Sequence, residues 1–186
     1  MWPTGLPLGL LTILQRLVLD FWTTYVANGN TPTLLYNPPG DGNCGYSCIL
    51  RGLDHLKLAD KFPNNVMDFR AYVREIMYMP DVRERFEHSF EPDVMVGGEG
   101  RVLTGSVDDW LCHVTRDYAY IEHHIFVMIS EILGFVFVIL ENGRQPNVIK
   151  PESWKDGDKV LVFILYRYGL HFSLVTALAH VVGVLT

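Results

Sequence analysis

Cysteine is scarce in this chain. Its 186 residues include three cysteines, Cys44, Cys48 and Cys112. A small and odd number of cysteines argues against a disulfide framework of the kind that stabilises small secreted domains. We therefore expect a reducing compartment, and we predict a cytoplasmic location.

Basic residues and long apolar runs are also few. Lysine and arginine number 15 against 21 acidic residues, a net charge of −6, which is the wrong sign for gripping a phosphate backbone. The apolar N-terminal stretch is interrupted at Gln15 and Arg16, which leaves it short of the ~20 apolar residues that a membrane-spanning helix needs. We expect no nucleic-acid partner, no membrane partner and no signal peptide.

Hydrophobic residues, by contrast, are plentiful. They make up 49% of the chain, and 12% of the residues are aromatic. This composition can bury one sizeable core, so we predict a single domain over residues 1–186. We divide it into an N-terminal helical extension, residues 1–30, and a core at 36–176.

Apolar residues recur at helical spacing through the first two thirds of the chain. An N-terminal amphipathic helix is predicted to lie on the main core through the pattern Leu10, Ile13, Leu14, Leu17, Val18 and Phe21. Further helices are predicted from about Cys44 to Leu56, Asn64 to Met79, Pro80 to Phe90, after the N-cap pair Ser106 and Asp109, and from Tyr120 to Leu133.

The last third is typical of strands. Runs rich in Val, Ile, Phe and Tyr are separated by turn residues, and they predict strands at Phe135–Leu140, Val160–Tyr166 and Leu170–Thr176. We therefore predict an α+β fold whose helices pack around a small, mainly antiparallel sheet. Glu91–Thr104, with several glycines, is predicted to be a long mobile loop.

The most informative segment runs from Asn37 to Tyr46. It places Cys44 where a loop rich in proline and glycine enters a helix. Free N–H groups and the helix dipole at a helix N-terminus favour a thiolate over a thiol, so Cys44 is a candidate nucleophile. The glycines allow backbone amides to approach the sulfur and face a developing oxyanion.

The same segment matches another motif. The spacing of Gly40, Gly42 and Gly45 fits the dinucleotide-binding fingerprint, and Asp60 follows at a suitable distance. That fingerprint needs a hydrophobic strand running straight into the glycines and a parallel strand after the helix. Neither is predicted here, so we do not expect a nucleotide cofactor, or any other cofactor.

The string Asp41-Gly42-Asn43-Cys44 resembles the signature of the ovarian tumour (OTU) family of cysteine proteases. The later blocks agree, with a helix to Leu133 followed by a strand, and with His171 before an aromatic residue near the end. The similarity spans roughly residues 36–176. It implies an OTU-like protease domain with Cys44 as nucleophile, His171 as base, and Asp41, Gly42 and Asn43 in the loop that binds the oxyanion.

The longer string from Tyr36 to Tyr46 is similar to arterivirus papain-like protease 2, an OTU-like deubiquitinase of a nidovirus polyprotein. Those enzymes carry a cysteine-rich zinc finger, and this chain has only two cysteines besides Cys44. We therefore expect the finger to be absent. A viral origin would make the location the host cytosol and self-cleavage of a polyprotein a second activity.

Three residues compete to orient the histidine. Ser173, two positions after His171, stands where many family members have Asn or Asp, and it offers only a hydroxyl. Asp41 lies on the turn before Cys44, where its backbone more naturally shapes the oxyanion loop. Asn37 matches the position of the orienting amide in the similar arterivirus protease, so the resemblance favours Asn37 as the third catalytic residue, with Ser173 assisting.

The resemblance implies a cysteine isopeptidase, a deubiquitinase acting on conjugates of ubiquitin or of a ubiquitin-like protein. A second hypothesis is a non-catalytic OTU-like module that binds ubiquitin or another protein through an acidic surface. We predict no metal site, because Cys112, His113, His123 and His124 lack the spacing of zinc ligands. Of the adjacent His123 and His124, we expect one to pack and the other to be solvated.

Overall fold

The computed structural model describes residues 13–87, 106–121, 123–153 and 160–179 of the chain. The helices are α1 (Ile13–Ala27), α2 (Cys44–His55), α3 (Val66–Met77), α4 (Pro80–Glu87), α5 (Val107–Val114) and α6 (His123–Leu133), with a 3-10 turn at Ala59–Lys61. The strands are β1 (Phe135–Leu140), β2 (Asn147–Ile149), β3 (Leu161–Tyr168) and β4 (His171–Ala179). None of the described helices is long and apolar enough to cross a membrane.

The four strands form one sheet in the order β2-β1-β3-β4. β1 pairs antiparallel with β2 and parallel with β3, and β3 pairs antiparallel with β4. The predicted α+β class is confirmed, with a mixed sheet in which antiparallel pairings outnumber the parallel one. The sequence does not predict β2, because a strand of 3 residues is too short to show a period.

The core lies on both faces of the sheet. One face is covered by α2, α3 and α6, which contribute buried residues such as Ile49, Phe69 and Phe126. The other face is covered by α1, through Leu19 and Val26. The sheet is therefore the middle layer between the N-terminal helix and the remaining helices, and its strands are apolar on both faces.

The predicted placement of the N-terminal helix is wrong. Leu17 is 59% exposed and Phe21 is 56% exposed, whereas Leu19 and Val26 are buried. The helix also covers the face of the sheet opposite the main core. Apolar residues occur on nearly every side of this helix, so periodicity alone does not decide which side faces inward.

The other predicted elements lie close to the observed ones. β1 has the predicted bounds, and α5 follows the predicted N-cap, where the Asp109 N–H donates to Ser106 Oγ at 3.2 Å. The carboxylate of Asp109 accepts in turn from the Ser106 N–H at 3.1 Å. The predicted loop Glu91–Thr104 and the predicted helix end at Phe90 lie outside the described residues.

Candidate active site

Cys44 is the first residue of α2, and its side chain is fully buried. Its sulfur accepts a hydrogen bond from the Phe172 N–H at 3.5 Å and lies 3.9 Å from the carbonyl oxygen of Leu170. These two residues flank His171 in the chain. The sulfur of the candidate nucleophile therefore lies against the backbone on both sides of the candidate base, where α2 packs against the start of β4.

Burial raises the pKa of the Cys44 thiol above its ordinary value. Backbone N–H groups of Phe172, Gly45 and Cys44 itself act in the opposite direction, and the negative charge of Asp41 adds to the rise. The helix N-terminus thus stabilises a thiolate as the sequence predicts, but desolvation outweighs it in the free protein. The resting sulfur is a thiol and needs a base to become nucleophilic.

The ring of His171 is held from one side. Its Nε2 lies 2.9 Å from Asn37 Oδ1, and because an amide oxygen only accepts, Nε2 carries the hydrogen of this bond. Its Nδ1 is buried and has no hydrogen-bond partner. Gly40 lies against this nitrogen, since a Cβ built on Gly40 would stand 3.7 Å from Nδ1. In the neutral ring, Nδ1 is therefore a free acceptor enclosed within the site.

Asn37 reaches His171 because its segment runs beside β4. Tyr36 forms an antiparallel bridge with Leu174, in which the two residues exchange N–H···O bonds of 3.1 and 2.9 Å. Ser173 is buried, and its hydroxyl donates to Asn37 Oδ1 at 2.7 Å. Ser173 therefore contacts the candidate orienting amide and, by this bond, fixes which end of that amide faces the histidine.

The loop before Cys44 is held by its own side chains. Asp41 Oδ1 accepts from the Asn43 N–H at 3.0 Å, so this amide is already occupied. Gly42 has φ of +86°, and a Cβ built on it would lie 1.9 Å from the carbonyl oxygen of Tyr118. Only glycine fits here, because the backbone of Tyr118 passes directly over it.

Arg70 also belongs to this site, although no motif in the sequence points to it. It lies on α3, is 1% exposed, and directs its guanidinium at the loop before Cys44. Its Nε and Nη2 donate to Asn43 Oδ1 at 3.0 and 2.8 Å, and Nη2 also donates to the Gly42 carbonyl at 3.1 Å. A signal was available, because Arg70 shares the helical spacing of the buried residues Val73 and Met77.

Of the remaining candidates, Cys48 borders this cluster and Cys112 lies apart from it. Cys48 is fully buried and its sulfur donates to the Phe172 carbonyl at 3.5 Å, while burial raises the pKa of its thiol. Cys112 is exposed and lies 3.7 Å from the hydroxyl of Tyr78. His123 and His124 are both exposed, so the expectation that one of them packs is wrong. Among the described residues no cluster of possible metal ligands occurs.

The glycine spacing of the dinucleotide fingerprint has a different structural context. The residues before Gly40 form a loop with one isolated bridge, and α2 leads into the 3-10 turn and α3. A nucleotide-binding unit would need a strand on each side of the helix. The described residues around α2 provide neither.

No protein-family model matches the sequence, and no curated protein matches it. Among solved structures, the OTU domain of OTUD1 is similar, with a TM-score of 0.49 and 14% identity over 84% of this chain and 92% of that chain. The Hazara virus OTU bound to ubiquitin is similar with a TM-score of 0.43 and 17% identity, over 81% of this chain and 89% of that chain.

An OTU deubiquitinase from Wolbachia pipientis wMel bound to ubiquitin is similar with a TM-score of 0.48 and 13% identity, over 78% of this chain and 96% of that chain. The identities and the scores are low.

Proposed function

We propose that this protein is an OTU-type cysteine isopeptidase that removes ubiquitin or a ubiquitin-like modifier from its conjugates. The observation that carries the proposal is the hydrogen bonding of the two ring nitrogens of His171. One ring nitrogen is held by Asn37 at 2.9 Å, and the other is buried without a partner. The sulfur of Cys44 contacts the backbone on both sides of that histidine. A thiol nucleophile needs a nearby base with one nitrogen free to accept its proton, and these contacts support that role for His171.

The first chemical step is acyl transfer to sulfur. His171 Nδ1 accepts the proton of the Cys44 thiol while Sγ forms a bond to the carbonyl carbon that precedes the scissile amide. The imidazolium that results keeps its Nε2 hydrogen on Asn37 Oδ1. Backbone N–H groups of the loop before Cys44, other than the Asn43 N–H that Asp41 holds, stabilise the oxyanion of the tetrahedral intermediate.

The second step releases the products. The imidazolium gives its proton to the leaving lysine amine as the C–N bond breaks, which leaves a thioester on Cys44. His171 then removes a proton from water, the hydroxyl adds to the thioester carbonyl, and the thiolate leaves and is reprotonated. Asn37 serves both steps by keeping the ring oriented and Nδ1 available.

The substrate class rests on the resemblance of residues 36–46 and of the segment around His171 to OTU proteases. The arterivirus branch, with self-cleavage of a viral polyprotein and a location in the host cytosol, stays a prediction from the longer string Tyr36–Tyr46. The pairing of Cys44, His171 and Asn37 in space supports an enzyme over the second hypothesis, a binding module. A module has no need for an oriented histidine beside a buried thiol.

A ubiquitin whose C-terminal glycine carries an electrophile tests the proposal directly. We expect the wild-type protein to form a covalent adduct with it, visible as a mass increase, and Cys44→Ala to form none. The matched control is Cys112→Ala, because Cys112 is exposed and remote from the described site contacts. This control should label at the wild-type rate.

His171→Ala should label much more slowly than wild type, because the thiol loses its base while its raised pKa keeps it protonated. Adduct formation by Cys44→Ala would overturn the mechanism. Tight binding of the probe by wild type without any adduct would favour the non-catalytic module.

A further inference from the structure

Arg70 joins three separate parts of the chain at the candidate site. It lies on α3, and its guanidinium donates to Gly42 O, to Asn43 Oδ1 and, at 2.6 Å, to Ala119 O. The guanidinium carbon also lies 4.1 Å from the ring centre of Tyr46 on α2. Asn43 extends the cluster, since its Nδ2 donates to Asp117 Oδ1 at 2.9 Å.

A buried guanidinium is costly for a small core. Burial lowers the pKa of Arg70, and an apolar side chain of similar length would fill the same space without desolvating a charge. Two acceptors of Arg70, Gly42 O and Asn43 Oδ1, belong to the two residues that precede Cys44. A third acceptor, Ala119 O, follows Tyr118, whose backbone lies over Gly42. The charge is therefore placed where it fixes a loop.

Those contacts fix the peptide between Gly42 and Asn43 from both sides. A peptide unit is planar, with its C=O and N–H pointing in opposite directions. Arg70 holds the Gly42 carbonyl at 3.1 Å, and Asp41 holds the Asn43 N–H at 3.0 Å. The next peptide is fixed by α2, where the Ser47 N–H donates to Asn43 O at 2.9 Å. As the first residue of α2, Cys44 has an N–H group without an intrahelical partner.

We infer that Arg70 is a positioning residue that holds the Gly42–Asn43 peptide and, through it, the backbone amides that receive the oxyanion beside Cys44. This inference rests on the proposed function, because an oxyanion forms only if Cys44 carries out acyl transfer. Arg70 does not contact the reacting atoms. It acts through the loop and should affect acylation of the sulfur more than the sulfur's nucleophilicity.

Two small reagents, used without ubiquitin, measure the acylation of the Cys44 sulfur and its nucleophilicity separately. With p-nitrophenyl acetate, Cys44 Sγ bonds to the acetyl carbon through an oxyanion intermediate and p-nitrophenolate leaves. With iodoacetamide, Sγ bonds to the methylene carbon, iodide leaves, and no oxyanion forms. Both rates are measured by mass spectrometry in a Cys112→Ser background, which removes the exposed thiol. The ratio of acylation to alkylation reports the oxyanion loop alone.

The test variant is Arg70→Lys, which keeps the charge and loses the fork that reaches several acceptors at once. We expect acylation to fall by about 10- to 100-fold, less than the ~10²–10³-fold loss on removing an oxyanion donor outright, and alkylation to stay near wild type. The matched control is Arg74→Lys, one turn along α3 and exposed. It should change neither rate.

Equal falls in both rates, or no fall in either, would overturn the inference. If Arg70→Lys fails to fold, Asn43→Ser replaces it, because this change removes the amide that accepts from Arg70 and leaves a residue suited to an N-cap. It should lower the same ratio, and an unchanged ratio would overturn the inference.

A different result would contradict the proposed function without deciding the role of Arg70. Normal reaction of wild-type Cys44 with both reagents but not with the ubiquitin electrophile would contradict the ubiquitin substrate and leave the role of Arg70 to be decided by the ratio. If neither reagent modifies wild-type Cys44, acyl transfer and the inference are both overturned.

Discussion

At the scale of single residues, the geometry of the candidate site is set by hydrogen bonds to particular side-chain atoms. Asn37 Oδ1 accepts from both His171 and Ser173, at 2.9 and 2.7 Å. The Ser173 hydroxyl therefore holds the amide, and the amide holds the imidazole. These two hydrogen bonds are consistent with the proposal that Asn37 orients the histidine and that Ser173 assists by holding Asn37.

The role of Asn37 is tested by Asn37→Ala. We expect turnover of a ubiquitin conjugate to fall by roughly 10- to 1,000-fold with KM little changed, because the ring loses the partner that keeps Nδ1 available. This is smaller than the ~10⁴-fold effect of altering the orienting carboxylate of a serine protease. Steady-state kinetics on a fluorogenic ubiquitin substrate provides the measurement.

Ser173→Ala is the companion variant, and it should cost less than Asn37→Ala, because Asn37 can still accept from His171. A larger loss in Ser173→Ala than in Asn37→Ala would transfer the orienting role to Ser173. Unchanged kinetics in Asn37→Ala together with a large loss in Asp41→Asn would transfer it to Asp41.

At the scale of elements, β4 and the loop before α2 together form the site. The N–H of Phe172 binds the Cys44 sulfur at 3.5 Å, while its ring packs 5.1 Å from Phe126 on α6. His171 and Ser173, on either side of Phe172, share the other face of the strand. The strand is thus fixed to the core by the same residue whose backbone contacts the sulfur.

The turn at Gly42 provides a prediction at this scale. Gly42 and Gly143 both have positive φ, +86° and +68°, but only at Gly42 would a Cβ meet the backbone of residue 118. Gly143→Ala should lower the free energy of unfolding by about 1–2 kcal/mol, the cost of left-handed backbone. Gly42→Ala should lower it by a further ~1–3 kcal/mol, because the neighbouring backbone must shift.

Urea unfolding of both variants, followed by circular dichroism, measures the two losses. Equal losses would show that the approach of the Tyr118 backbone does not constrain the loop. In that case the close packing over Gly42 would have no energetic consequence.

At the scale of the whole molecule, the sheet lies between the helices that carry the candidate site and the helix that contributes only apolar burial. The face covered by α2 and α3 carries Cys44 and Arg70, while α1 covers the opposite face through Leu19 and Val26. The N-terminal helix therefore contributes apolar burial to stability and no described side chain to the site. Removing a contact of α1 should affect the fold and spare the chemistry.

Two leucines on α1 test this division. Leu19 is 0% exposed and Leu17 is 59% exposed. Leu19→Ala should lower the free energy of unfolding by about 2–5 kcal/mol, as for a buried leucine that leaves a cavity. Leu17→Ala should change it by less than ~0.5 kcal/mol. Urea denaturation measures both.

The rate of ubiquitin-probe labelling per folded molecule should remain at the wild-type value in both leucine variants. A loss of unfolding free energy in Leu17→Ala as large as in Leu19→Ala would contradict the observed orientation of α1.

Local chemistry in the sequence determined much of this protein. The turn and helix start before Cys44, the strand Phe135–Leu140, the cap at Ser106 and the α+β class all follow from residue types and spacing. Cys44 was a candidate from its place at a helix start, whereas His171 and Asn37 were candidates through the resemblance to OTU proteases, and the catalytic role of all three stays a prediction.

Tertiary structure decided what local patterns leave open. The inward side of α1, the parallel pairing of β1 with β3 and the register shift of β4 opposite Ile164 and Leu165 depend on packing between distant segments. The Tyr36 bridge to Leu174 brings Asn37 to His171 across the chain. The contacts of Arg70 were decided in the same way, because folding brings the oxygen atoms of Gly42, Asn43 and Ala119 to its guanidinium.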